Sequence, residues 1–380
     1  MELAAFRSAL DGWLDEHADE LTPADPVELS GPAVLDAHMA QLAKVKNLAY
    51  GAGFMRWGWP ERVGGLGGSS ILRAYLGEAL TGRGLVEPGV YCMTEVLAPT
   101  MIDYAPAGLA GAMVPRLLRG DETWCQGFSE PGTGSNLAAL QCRAALTDGT
   151  WRVNGQKVWT SFAQYADRCI LLTRTGAPDS AHRGITALFI DMDTPGITVR
   201  PLETMNGIPE FSEVFFDDVA VPAERTLGEV DQGWAIAMGL LPYERSTALW
   251  HRGAFLRQRL RELLTDVSDG QLAAEAVGTA FAQLYAFRAR SRQTQYRMAA
   301  GETLAAETSI DKVLLATAEQ SVFDLAAEGL PEQVLLDDDD VGQAWRTEYL
   351  YSRAATIYGG TGEIQRNVIA RRLLDLGPDR

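Results

Sequence analysis

Ser129-Glu130-Pro131-Gly132-Thr133-Gly134-Ser135-Asn136, followed by Val153-Asn154-Gly155-Gln156-Lys157-Val158-Trp159-Thr160-Ser161, decides how this chain reads. Both segments mix small hydroxyl residues with glycine, and the second adds one indole. Glycine lets backbone approach a ligand closely and tolerates the positive φ of a tight loop. Serine and threonine supply short donors and acceptors. Tryptophan supplies a flat apolar face with one donor. A β-hairpin can bring the two segments together, and the set then suits a planar ring with polar edges. Two ordinary hairpins with turn glycines explain the same residues, and spacing alone leaves both readings open.

Working outward, the period of the sequence changes twice. Leu3, Phe6, Leu10 and Leu14 recur at helical spacing, and residues 35–49 and 70–81 repeat the pattern. The glycine- and proline-rich stretch 58–68 separates helices. From about 121 to 228 short apolar runs are bounded by turns: 141–146, 151–153, 169–172, 185–190 and 214–216. Thr147-Asp148-Gly149 reads as a turn and Asn154-Gly155 as a hairpin signal. Strands this close imply a small antiparallel barrel or sandwich. Residues 271–298 and 307–327 are long amphipathic stretches, and the acidic run 337–340 reads as a solvated loop. The expected fold is therefore α+β. It has an N-terminal helical domain over 1–120, a middle β domain over 121–228 and a C-terminal helical domain over 229–380.

Composition narrows the partners. The 380 residues, 47% hydrophobic, can bury a large core in two or three domains. A formal net charge of -17 argues against nucleic acid and anionic membrane as partners. An anionic ligand would need a local cluster of arginine or lysine. The cysteines, Cys92, Cys125, Cys142 and Cys169, show no metal spacing and no CxxC. No apolar run has the length of a membrane span, so the cytoplasm is the expected location.

The two opening segments resemble the flavin-binding core of the acyl-CoA dehydrogenase family. Tyr358-Gly359-Gly360-Thr361-Gly362-Glu363-Ile364-Gln365-Arg366-Asn367 resembles that family's C-terminal signature. The resemblance covers almost the whole chain in order and spacing. It implies FAD as cofactor, an acyl-CoA thioester as substrate, and an electron-transfer flavoprotein as electron acceptor. It also implies a dimeric or tetrameric assembly and a four-helix bundle in the C-terminal domain. Carried over by position, Phe128 and Ser129 touch the flavin ring. Gly134 and Ser135 come next, with Ser135 nearer the substrate. Trp159, Thr160 and Ser161 cover the ring, and Thr361 and Glu363 reach the cofactor from the C-terminal segment.

Dehydrogenation next to a thioester needs a base for the α proton and donors for the developing enolate. Most of the family places a glutamate directly before the Gly-Thr of the C-terminal motif. Here that position is Gly359, which has no side chain. A minority, similar to the isovaleryl-CoA and long-chain enzymes, carries the glutamate on a C-terminal-domain helix, before a substrate-binding arginine. Leu241-Pro242-Tyr243-Glu244-Arg245 matches that place. The resemblance thus makes Glu244 the base, Arg245 a substrate contact, and the Gly359 N–H a donor to the thioester oxygen. Read without the family, Pro242 suits the first position of a helix. Glu244 is then an ordinary first-turn carboxylate, stabilising the helix dipole by about 0.3–1 kcal/mol.

The sequence also departs from the family. The Arg-x-x-Phe-Gly segment that reaches a neighbouring subunit's cofactor reads Arg252-Gly253-Ala254-Phe255-Leu256-Arg257-Gln258-Arg259 here. The Gln-x-x-Gly-Gly-x-Gly segment has only Gly329 in Ala326-Ala327-Glu328-Gly329-Leu330-Pro331. Arg252, Arg257 or Arg259 can replace the lost contacts, or the chain pairs with a different, related subunit, as relatives acting on sterol side chains do. A non-catalytic or half-site partner subunit is the alternative function, and a flavin oxidase or monooxygenase on the same fold a third. Trp250, Tyr91, Met93 and Leu97 are candidate acyl-pocket walls that read equally as core.

Overall fold

The computed structural model describes residues 1–23, 31–268, 270–336 and 340–377. Six helices come first: α1 (Leu3–Glu16), α2 (Ala18–Leu21), α3 (Pro32–Gly51), α4 (Ile71–Gly82), α5 (Pro88–Tyr104) and α6 (Ala107–Arg119). The expected stripe on α1 is buried as Phe6, Leu10 and Leu14. Between α3 and α4, Gly58, Gly64, Gly67 and Gly68 all take positive φ, which ends helix propagation. Helix α5 starts on Pro88. The Glu87 carboxylate caps it, accepting the Val90 N–H at 2.7 Å. Its residues from Val96 to Ile102 are all buried, which makes it the axis of the N-terminal region.

Eight strands come after them: β1 (Trp124–Gly127), β2 (Arg143–Thr147), β3 (Thr150–Ser161), β4 (Arg168–Arg174), β5 (Ile185–Asp191), β6 (Ile197–Leu202), β7 (Phe211–Pro222) and β8 (Thr226–Leu227). They form one sheet in the order β6-β7-β3-β2-β4-β5-β8, with β1 paired to β4. Pairing is antiparallel as expected, except that β1 and β2 each run parallel to β4. Side chains alternate along β1 and divide between two cores. Trp124 and Phe128 join the core shared with the N-terminal helices, and Cys125 joins the core within the sheet. Gln126 lies in phase with Trp124.

One turn differs from expectation. Asn154-Gly155 is not a hairpin but lies inside β3. The β2–β3 turn sits at Asp148 and Gly149, both at positive φ, the two-residue geometry a hairpin favours. Gly155 is needed for another reason. The β3–β7 register shifts beside it, and a Cβ there would stand 2.7 Å from the Cys142 Cα.

The C-terminal region comprises α7 (Gly233–Tyr243), α8 (Leu249–Asp266), α9 (Ala274–Ala299), α10 (Thr308–Gly329), α11 (Pro331–Leu335), α12 (Asp340–Ser352) and α13 (Gly362–Val368). Helices α8, α9, α10 and α12 share a core that includes Leu260, Phe287, Phe323 and Trp345. Residues 337–339 of the acidic run lie outside the described residues. The helix-start reading of Pro242 is corrected: Pro242 lies inside α7, and α7 continues through a π-helical turn, Glu244–Ala248, into α8. Proline removes one backbone donor, and the wider turn directly after it takes up the mismatch. Glu244 is therefore mid-helix, where the dipole argument does not apply. No helix among the described residues is long and apolar enough to cross a membrane.

Candidate active site

The π turn carries Glu244 and Arg245 to the C-terminal segment. Gly359 has φ 61° and Gly360 φ 89°, so this bend needs glycine. A Cβ built on Gly359 would stand 2.9 Å from Glu244 Oε1. The carboxylate thus occupies the space beside the side-chain-free position. Arg245 Nε donates to the Gly359 carbonyl at 3.0 Å, and Gln365 Nε2 donates to the same oxygen at 2.9 Å. The bend is held by its carbonyl, while the Gly359 N–H has no hydrogen-bond partner among the described residues. Burial lowers the Arg245 pKa, and Glu244 opposes that.

Two more residues complete this corner. Gln126 Nε2, from β1, donates to Glu244 Oε2 at 3.3 Å. Lys312, from α10, is buried. Its Nζ donates to the Ala355 carbonyl and stands 4.0 Å from the centre of the Tyr358 ring. Burial lowers the Lys312 pKa to about 8, against the opposing charges of Glu319 and Glu244.

The opening motif forms a second surface at the end of β1. The Glu130 carboxylate accepts the Gln141 N–H at 2.6 Å, the Cys142 N–H at 2.9 Å and Lys157 Nζ at 2.7 Å. Lys157 also donates to the Phe128 carbonyl at 3.1 Å, and the Ser129 carbonyl accepts the Val158 N–H at 3.0 Å. These bonds clamp residues 128–130 to residues 157–158. The β3–β7 register breaks between Lys157 and Thr160, where Trp159 takes φ 59°. Trp159 is 59% exposed, with its edge-to-face partner Phe211 at 5.8 Å. Phe128 is buried. Thr160 and Thr133 are 1% and 5% exposed, yet both hydroxyls lack a hydrogen-bond partner among the described residues. A buried orphan hydroxyl costs about 1–3 kcal/mol unless something completes it. An exposed indole, a buried phenyl and two unsatisfied hydroxyls fit a planar ring with hydrogen-bonding edges.

The remaining expected residues are placed as follows. Gly134 and Ser135 lie exposed in the loop and Ser161 is half-buried. Thr361 caps α13, accepting the Ile364 N–H at 3.3 Å. Glu363 is exposed, and its own backbone N–H and the Thr361 hydroxyl pull its pKa down. Tyr91 and Leu97 are fully buried core residues. Arg252 is committed elsewhere: it is buried and paired with Glu319 at 2.8 Å and Glu348 at 2.5 Å. Arg259 stacks on Trp345 at 3.7 Å and pairs with Glu262 at 2.5 Å. Gln126, Lys312 and Thr133 were not singled out from the sequence. Alternation along β1 puts Gln126 in phase with the buried Trp124 and is the signal that could have found it.

Comparisons with known proteins add an independent line. The family model "Acyl-CoA dehydrogenase, middle domain" matches residues 125–219, and "Acyl-CoA dehydrogenase, C-terminal domain" matches residues 231–374. The chain is 33% identical to the acyl-CoA dehydrogenase IpdE1 of Mycobacterium tuberculosis, over 99% of this chain and 98% of the relative. The Tcur3481-Tcur3483 steroid acyl-CoA dehydrogenase superposes with TM-score 0.84 at 24% identity, covering 100% of this chain and 99% of that one. The ChsE4-ChsE5 complex from Mycobacterium tuberculosis gives TM-score 0.80 at 26% identity, covering 99% of this chain and 98% of that one.

Proposed function

This chain belongs to the acyl-CoA dehydrogenase family of FAD-dependent oxidoreductases, and on that premise we propose that Glu244 is the base that takes the α proton of a bound acyl-CoA. The observation that carries the reading is the 2.9 Å between Glu244 Oε1 and the Cβ position of Gly359. The family's usual carboxylate site has no side chain here, and another carboxylate fills the space. The Gly359 N–H, free of protein partners among the described residues, donates to the thioester oxygen as enolate charge develops. Arg245 holds the Gly359 carbonyl and so fixes the bend on which that N–H sits. FAD supplies the acceptor for the β hydride. Phe128, Ser129, Trp159, Thr160 and Ser161 cradle its ring, joined by Thr133 and the neighbouring Gly134 and Ser135. Thr361 and Glu363 face the cofactor from the C-terminal segment. Electrons leave to an electron-transfer flavoprotein. The division at residues 120 and 228 belongs to the same reading.

Glu244→Gln keeps the carboxamide shape and removes the base. The purified variant is expected to stay yellow while kcat drops by about 10²–10⁴-fold on a panel of acyl-CoAs that includes a steroid side-chain acyl-CoA. Full activity in Glu244→Gln would sink the assignment.

A second reading concerns assembly. Arg252 is consumed by Glu319 and Glu348, and the Phe-Gly pair is absent. This supports pairing with a second, related chain that completes a cofactor site. The ChsE4-ChsE5 complex is, by its name, an assembly of two different chains. Here the chain holding Glu244 is the catalytic one. Co-purification with a related chain, with flavin per pair measured by absorbance, tests it. A full flavin complement in the homo-oligomer argues against it.

A further inference from the structure

We propose that Gln126 is a positioning residue for this reaction: its amide fixes the Glu244 carboxylate in the orientation from which it meets the α proton. The proposal rests on the reading of Glu244 as base.

The geometry comes from the strand. Residues 124 and 126 share one face of β1, and Trp124, with Phe128 just past the strand, packs into the core shared with the N-terminal helices. Gln126 is thereby directed out of the sheet toward the helices, and its Nε2 lies 3.3 Å from Glu244 Oε2. An ionised carboxylate only accepts, so the amide nitrogen must face it. The nearby cations are turned elsewhere. Arg245 donates to the Gly359 carbonyl and Lys312 to the Ala355 carbonyl. Among the described residues, Gln126 is the side chain that donates to Glu244.

The rest of the amide points the same way. Gln126 Oε1 is buried and has no hydrogen-bond partner among the described residues. An apolar side chain of similar volume would remove this unpaired oxygen, so Oε1 does not explain a glutamine. The single bond it makes does. A glutamate has rotatable bonds between backbone and carboxylate, and a π turn fixes only the backbone. One donor from a rigid strand removes the remaining freedom, as proton abstraction at a defined carbon requires. The surroundings of Glu244 contain other charged and titratable groups. They are Arg245 on its own turn, Cys92 on α5 and Lys312 on α10, with Glu210 beyond Cys92 and Glu319 beyond Lys312. Helix α9 contributes the uncharged Gln295, bonded to Thr247. None of these substitutes for the amide bond.

The test isolates the base's own step. The FAD-loaded protein, with its partner chain where one co-purifies, is incubated in D2O without an electron acceptor. Uptake of deuterium at the α carbon of octanoyl-CoA and of a steroid side-chain acyl-CoA is tracked by mass spectrometry. Gln126→Met and Gln126→Leu are expected to slow exchange by about 10- to 100-fold. KM should stay within about twofold, because binding is not the interaction removed. The isotope effect on kcat with α-deuterated substrate should rise, and flavin absorbance should not change. Gln126→His, which keeps a donor at similar reach, should recover part of the rate. Unchanged exchange in both apolar variants, with Glu244→Gln inactive, overturns the positioning role and leaves the base in place. Exchange that survives in Glu244→Gln overturns the base reading itself.

Discussion

The clamp around Glu130 and the corner around Glu244 are built over different distances along the chain. Lys157 on β3 reaches Glu130, in the loop after β1, across 27 residues. Gln126 reaches Glu244 across 118 residues, and Arg245 reaches Gly359 across 114. The first set is written in two short segments, and a local motif displays it. The second set exists only once a strand, a helical turn and a C-terminal bend have met. What differs is whether neighbouring secondary structure or the packing of whole regions sets the distance.

Breaking the clamp should have the largest effect on stability. Lys157→Met leaves the Glu130 carboxylate buried without its cation, an expected loss of about 3–5 kcal/mol by denaturant unfolding. If the variant unfolds like wild type, the clamp is not what holds residues 128–130 to β3.

The corner is best probed at its glycine. Gly359→Ala forces a side chain to φ 61° and against Glu244 Oε1. About 1–3 kcal/mol of stability should be lost, and kcat should fall with flavin still bound. Unchanged kcat would mean that the carboxylate does not need that space.

A third probe uses pH. Burial pushes the half-buried Glu210 carboxyl from its ordinary 4.5 up to about 8, with Glu87 adding to the shift. The folded chain then keeps a proton that the unfolded chain releases. Stability from this group is complete below pH 4.5 and declines as pH rises toward 8. Glu210→Gln should therefore match wild type at low pH and exceed it above pH 8, by on the order of 2 kcal/mol after allowance for partial exposure. Equal stability curves at both pH values would show that burial does not raise the Glu210 carboxyl.

The smallest effect is expected at the ring surface. Thr160→Val removes an unsatisfied hydroxyl, so the apoprotein should be no less stable. Flavin affinity should weaken about tenfold, worth about 1.4 kcal/mol. An unchanged Kd from fluorescence titration would mean that this hydroxyl is completed by something other than the cofactor.

The meeting of the two opening segments was legible in the sequence, and β3 does carry residues 157–158 back to residues 128–130. The Asn154-Gly155 signal misled for a local reason: the same dipeptide that favours a two-residue turn also suits a bulge, and Cys142 packed against its Cα selects the bulge. Pro242 misled because helix-start preference is blind to the residues downstream of the proline. Here a π turn lets the helix continue through it.

The sequence by itself determined the order of helical and extended regions, the two glycine- and hydroxyl-rich segments and the lack of a side chain at position 359, because period and residue type are local properties. Only the tertiary structure decided that the Glu244 carboxylate lies beside Gly359, that Gln126 holds it, and that Arg252 is locked between Glu319 and Glu348. Those contacts join residues far apart in the chain, and no local preference encodes a distance that three packed regions set together.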